Sequence, residues 1–227
     1  MTKMPSLHSE AQDLTGSQGL QSLGLGSSWA YHDDPRHLLF SMARYKFVAK
    51  MFLGLSNVLE VGCADGFFTR IVLQAVGRVT GIDIDGAMIE SASQIMSPRW
   101  PFTALRHDIL ERPVEGLFDG AYSLDVLEHI PASQEELFIM NILASLKPEA
   151  SLIVGMPSLQ SQAHASQVSR AHHVNCKDQP ELKTLLSKFF HNVFLFSMND
   201  EIVHTGFHPM SHYNLALCCH RKETPPC

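Results

Sequence analysis

Strand-like and helix-like stretches alternate from residue 57 to residue 190, and that alternation rules out most folds for this chain. Short apolar runs at 57–61, 78–82, 102–106, 120–124 and 151–156 read as strands. Stretches at 67–76, 87–96, 133–146 and 180–190 read as helices. Strands joined through helices lie parallel, so the expectation is an α/β chain whose sheet carries helices on both faces. The end breaks the pattern. Runs at 191–197 and 212–219 are strand-like, and a loop with Gly206 and Pro209 joins them. With no helix between them they should pair as an antiparallel hairpin. No internal repeat and no second domain is visible.

Upstream, a helix is expected with Asp34 as its cap and Pro35 at the first helical position. Leu38, Leu39, Met42, Tyr45, Val48 and Ala49 fall at helical spacing within it. Residues 1–28 are rich in Ser, Gly and Gln with little apolar periodicity, which reads as a mobile arm. The expected division is an arm at 1–28, a single domain at 29–222 and a tail at 223–227. A hydrophobic content of 45% supports a packed core, and a net charge of −6 without a basic stripe disfavours a general nucleic-acid binder. A short RNA gripped at one end stays open. No run approaches the roughly 20 apolar residues of a membrane span, so no membrane partner is expected. Residues 1–28 also lack the charged start and apolar middle of a signal peptide. Cys63, Cys176, Cys218, Cys219 and Cys227 form an odd set without C-x-x-C, which reads as reduced thiols in a cytoplasmic protein.

The first strand runs into Glu60-Val-Gly-Cys-Ala-Asp-Gly66 and then a helix. Glycines at such a turn let the backbone approach a ligand closely, and the helix start points N–H groups at it. A pyrophosphate-binding turn has the spacing G-x-G-x-x-G. Here the spacing is G-x-x-x-G with Asp65 inside, which repels a pyrophosphate and suits a ligand carrying an ammonium group. The second strand ends in Gly81-Ile-Asp-Ile-Asp85, where Asp83 can accept from both hydroxyls of a ribose and Ile84 can flank an adenine. Asp85 reads as a helix cap. After the third strand, Asp108 can accept from an exocyclic amine. Trp29 and Tyr31 are candidates for closing over the cofactor.

These residues, together with Phe118-Asp-Gly-Ala-Tyr-Ser-Leu-Asp-Val-Leu-Glu-His129, resemble the class I S-adenosylmethionine-dependent methyltransferases from Val58 to about Met156. The resemblance implies a Rossmann-like, mostly parallel sheet of seven strands with helices on both faces and a C-terminal antiparallel strand hairpin. It implies S-adenosylmethionine as cofactor, bound by Glu60, Gly62, Gly66, Asp83, Ile84, Asp108, Ile109 and Leu124. Gly62 and Gly66 would hold the methionine part, Asp108 and Ile109 the adenine, and Leu124 the amino-acid end. Ala64 stands where many members have glycine, and Lys147-Pro-Glu-Ala lacks the usual glycine pair.

A sulfonium methyl is already activated, so the protein mainly aligns donor and acceptor, but an alcohol acceptor needs a base or a metal. Asp125-Val-Leu-Glu-His129 follows the fourth strand at the edge where ligands sit. A helical turn there puts Asp125 and Glu128 on one face, with His129 beside Asp125. Ala171-His-His-Val-Asn175 offers another histidine, and His173 is preferred over His172 because it leads into the next helix. The set resembles two O-methyltransferase groups, those of ubiquinone biosynthesis and those that methylate the 3′-terminal ribose of small RNAs. That resemblance implies a metal, usually Mg²⁺, on Asp125, Glu128, His129 and His173, with Asp125 in place of a glutamate; the imidazole ligands pull toward Mn²⁺, Fe²⁺ or Zn²⁺. Without a metal, His129 or His173 is the candidate general base. Phe207, Pro209, Met210 and Tyr213 are candidate walls of an acceptor pocket.

The reading is an O-methyltransferase acting on a hydroxyl of a small polar molecule, such as a sugar or a natural-product alcohol or phenol. Rival readings are methylation of nitrogen, a carboxylate or an RNA-end ribose on the same fold, and a non-catalytic cofactor-binding subunit. The expected partner is the small-molecule acceptor, with a homodimer admitted.

Overall fold

The computed structural model of the chain describes residues 7–223. Cys227, nearly all of the expected tail and the first six residues of the expected arm lie outside them. Three helices come first: α1 (Leu7–Gln18), α2 (Leu25–Asp33) and α3 (Arg36–Met51). Then β1 (Asn57–Val61), α4 (Thr69–Leu73), β2 (Arg78–Asp83), α5 (Gly86–Ile95), β3 (Thr103–Arg106) and β4 (Phe118–Leu124) alternate as expected. They are followed by α6 (Glu135–Ala144), β5 (Leu146–Pro157), α7 (Gln167–His172) and α8 (Gln179–Leu186). Three strands end the chain: β6 (Phe190–Asn199), β7 (Ile202–His204) and β8 (Tyr213–Arg221).

These form one sheet in the order β3-β2-β1-β4-β5-β8-β6-β7. β1 pairs in parallel with both β2 and β4, so the strand order reverses there and leaves a crevice at the carboxyl ends. β8 runs antiparallel to both β5 and β6, which is the expected terminal hairpin. The sheet has eight strands where seven were expected. The extra one, β7, folds back on β6 through Asp200-Glu201, with Asp200 in the left-handed region at φ 50°. An aspartate tolerates that conformation, which lets a two-residue turn form inside what read as a loop.

Each face of the sheet has its own core. On one, Tyr45, Val48 and Phe52 of α3 and its end pack with Val72, Ala92 and Ile153. On the other, Phe138, Ile139 and Ile142 of α6 and Leu182, Leu185 and Leu186 of α8 pack on Leu59, Leu152 and Val154. Leu39 and Met42, placed on the buried stripe of α3 by spacing, are 49% and 37% exposed. The expected boundary at residue 28 falls inside α2, where Ser27 is buried. No helix among the described residues is long and apolar enough to cross a membrane.

Candidate active site

The turn after β1 is built by main-chain bonds. The N–H groups of Gly62 and Cys63 donate to the Ile82 carbonyl at 2.8 and 3.0 Å, which bends the chain across the end of β2. Gly62 has φ 84°, and a Cβ there would sit 2.2 Å from Val126 Cγ2, so both conformation and space demand glycine. Ala64 takes φ 46° without that freedom. Its N–H donates to Asp83 Oδ2 at 2.9 Å, and the Asp85 N–H donates to Asp83 Oδ1 at 2.9 Å. The Asp83 carboxylate therefore ties the glycine turn to the tip of β2 and retains lone pairs for a ligand. Asp85 caps α5, accepting from the Ala87 N–H at 2.8 Å.

Beside this turn lies a cavity of about 580 Å³, a size suited to a small-molecule cofactor. Gly62, Asp83, Ile84, Asp108, Ile109 and Leu124 all line it. So do Asp125 and His129, which makes the cavity continuous with the acceptor side. Ser41 and Tyr45 of α3 also line it, a contribution that the sequence reading did not assign. Trp29, Tyr31, Phe207, Pro209, Met210 and Tyr213 are not among its walls. Phe207 and Met210 are instead 72% and 73% exposed.

Glu60, Asp65 and Gly66 of the loop motif lie outside the walls of the cavity. Gly66 lies under Phe102, and a Cβ would come within 2.2 Å of Phe102 Cζ. Glu60 is buried, and its two oxygens accept from Tyr45 Oη and Thr69 Oγ1, each at 2.6 Å. Burial raises its carboxyl to about 7 against the lowering effect of these hydroxyls. Asp65, read as suiting an ammonium group, is likewise turned inward. Its carboxylate accepts from the Ser27 N–H at 2.7 Å and the Ser27 hydroxyl at 3.1 Å.

On the acceptor side the expected metal set divides. Asp125 adopts φ 58°, and both its oxygens accept from Arg44 Nη1, at 2.7 and 2.9 Å. Arg44 in turn lies 3.9 Å above the Tyr213 ring. The other three residues meet. Glu128 and His129 form the 3-10 turn Leu127–His129, and one ligand atom from each of Glu128, His129 and His173 lies within 4.8 Å of the others. Glu128 is buried and its Oε2 has no hydrogen-bond partner among the described residues. Burial, then the Asp125 charge, pushes its carboxyl well above the usual range. Burial, then the charge of His129, lowers His173. The His129 and His173 rings meet edge to face at 5.2 Å. His172 contributes its main-chain carbonyl, 3.1 Å from His129 Nδ1, and not its ring. Neither Arg44 nor Gln162, which contacts His173, was legible as part of this site.

Residues 58–149 match a family described as a methyltransferase domain. The mitochondrial ubiquinone biosynthesis O-methyltransferase of Schizosaccharomyces pombe is 25% identical over 162 residues, covering 66% of this chain and 58% of that protein. The chain thus spans less than two thirds of that relative's length. The N-methyltransferase NodS of Bradyrhizobium japonicum WM9, solved with S-adenosyl-L-homocysteine, superposes with a TM-score of 0.60. It is 24% identical, with 89% of this chain and 95% of that one covered. The methyltransferase domain of bacterial CtHen1-C superposes with a TM-score of 0.66 at 17% identity, covering 79% of this chain and 98% of that one.

Proposed function

We propose that this chain is a class I S-adenosylmethionine-dependent methyltransferase, as the match of residues 58–149 supports, and that it transfers the methyl group to a hydroxyl of a small polar acceptor, such as a sugar, alcohol or phenol. The observation that supports this most is the Glu128–His129–His173 cluster, whose His129 lines the cavity, because a neutral alcohol is a poor nucleophile until a base or a metal takes its proton. In this reading Asp83 accepts from the ribose hydroxyls, Ile84 and Ile109 flank the adenine, and Asp108 accepts from its amine. The acceptor oxygen attacks the methyl carbon in line. The new O–C bond forms as the S–C bond breaks, the sulfur keeps the electron pair, and S-adenosylhomocysteine leaves. The acceptor proton passes to an imidazole nitrogen of His129 or His173.

The cluster also fits a divalent cation. A buried carboxylate oxygen without a partner and two adjoining imidazoles are a donor set of the right kind, and the imidazoles favour Mn²⁺ over Mg²⁺. Glu128, His129 and His173 would hold the ion, with Asp125 held aside by Arg44. When bound, such an ion lowers the pKa of an acceptor hydroxyl. The four described cysteines are unpaired, which supports the cytoplasm as the location.

The test is a transfer screen with methyl-labelled cofactor over sugars, phenols, amines and short RNAs, with Mg²⁺, with Mn²⁺ and with chelator. Label should move to a hydroxyl, and Glu128→Gln should abolish the stimulation by metal. Label moving only to amines would overturn the hydroxyl reading. Turnover indifferent to chelator would remove the metal.

A further inference from the structure

The contacts behind the two histidines constrain where their protons sit. A carbonyl oxygen can only accept, so the His129 Nδ1 that meets the His172 carbonyl at 3.1 Å carries the ring proton. The lone pair of the neutral ring is then on Nε2. At His173 the partner is a side chain: Nδ1 lies 3.1 Å from Gln162 Oε1. The other end of the Gln162 amide fixes which atom faces the ring. Its Nε2 donates to Ser161 Oγ at 3.3 Å and to the Ser158 carbonyl at 3.5 Å. Ser158 is fully buried, and its hydroxyl donates to the Ser211 carbonyl at 2.5 Å, which anchors the turn to the start of β8. With its nitrogen engaged, Gln162 presents an oxygen that can only accept, so His173 also carries its proton on Nδ1.

We propose that Gln162 is the positioning residue of the acceptor site. It fixes the tautomer and ring orientation of His173 so that the lone pair sits on Nε2, in a cluster where one ligand atom each of Glu128, His129 and His173 lies within 4.8 Å of the others. The main chain does this for His129 and cannot be changed by substitution, whereas for His173 a single replaceable amide does it. Partners behind metal-ligating histidines set ligand orientation and basicity in this way. The consequence for cation binding rests on the metal reading above. The tautomer does not, and the two can be measured apart.

The experiment records long-range ¹⁵N–¹H spectra of the histidine rings in the metal-free protein at about pH 8.5, above the imidazole range. The wild type, Gln162→Leu and Gln162→Glu are compared. His173 should be the Nδ1–H tautomer in the wild type and in Gln162→Glu, which keeps an acceptor. It should lose that preference in Gln162→Leu. His129, held by the main chain, should stay unchanged in all three and so reports that the turn is still folded. Manganese titrations followed by electron paramagnetic resonance should show affinity weakened roughly tenfold or more in Gln162→Leu and restored in Gln162→Glu. An unchanged His173 tautomer in Gln162→Leu would overturn the positioning role. The expected tautomer shift in a protein that binds no manganese would uphold Gln162 and overturn the metal reading.

Discussion

Asp83 and Glu60 are both carboxylates on the rim of one turn, and their surroundings give them opposite work. Asp83 faces the cavity with its charge already met by two main-chain N–H groups. Replacing it with alanine removes the proposed ribose acceptor and frees the Ala64 turn. Hydrogen bonds to a charged group are worth about 1.5–3 kcal/mol, so S-adenosylmethionine affinity should fall roughly 10- to 100-fold by calorimetry. An unchanged affinity would refute the ribose role. Glu60 is the structural member of the pair. Its folded-state value of about 7 lies above the unfolded 4.5, so the folded protein binds the extra proton between those values. Stability from this group is full below pH 4.5 and is lost as pH rises through 7, by about 3 kcal/mol in all. Glu60→Gln, which matches the neutral carboxyl in charge and keeps one carbonyl acceptor, should be about as stable as the wild type near pH 4.5 and should become the more stable protein as pH rises through 7. Denaturant midpoints across that range test it, and parallel pH curves would show that Glu60 stays ionised. The sequence showed that both residues belonged to the motif. It could not show which faced the cavity, because that depends on Tyr45 and Thr69 reaching Glu60 from α3 and α4.

At the scale of elements, periodicity was informative wherever a segment packs on one face. The parallel strands and the terminal hairpin lie where their apolar runs put them. The misses have local causes. The turn at Asp200 makes β7 out of residues with no alternation to announce it. α7 is a six-residue helix with no buried residue, so no apolar stripe marks it. α8 shows the converse. Asp178 accepts from the Glu181 N–H at 2.8 Å while the Glu181 side chain accepts from the Asp178 N–H at 3.0 Å, a reciprocal cap readable in the spacing. The helix follows the loop that carries His173, with Asn175 donating to Glu135 just ahead of the cap. Asp178→Ala should cost about 1 kcal/mol of stability in urea titrations and leave turnover per folded molecule unchanged. A larger loss of turnover would mean that the cap also holds that loop. The candidate metal set was legible in the same partial way. Glu128 and His129 are adjacent, and His173 was reached through its neighbours. The Arg44 that takes Asp125 is 81 residues away, a separation that local spacing cannot bridge.

For the whole molecule, the unresolved matter in the sequence was where the working body begins. A polar stretch before the first apolar helix reads as an arm, yet its last residues are bonded to the cofactor loop. Gly24 leaves no room for a side chain, since a Cβ would lie 2.7 Å from Asp65 Oδ2. Ser27 supplies two donors to that carboxylate, and the Leu25 N–H donates to Ser91 Oγ of α5 at 2.9 Å. The segment from Gly24 to Ser28 thus clamps the loop whose next residue back, Ala64, holds Asp83. By contrast, α1 has no buried residue among those whose side chains are described. Two truncations should separate these parts. Removing residues 1–18 should leave the thermal midpoint and cofactor affinity where they were. Removing residues 1–28 strips the donors from a buried carboxylate. At about 2 kcal/mol for the lost bonds, the midpoint should fall by roughly 4–8 °C. Cofactor affinity should fall with it, because the loop loses its outer support. If the longer truncation melted and bound like the shorter one, the contacts to Asp65 would contribute nothing, and the working body would begin within α2, after residue 28.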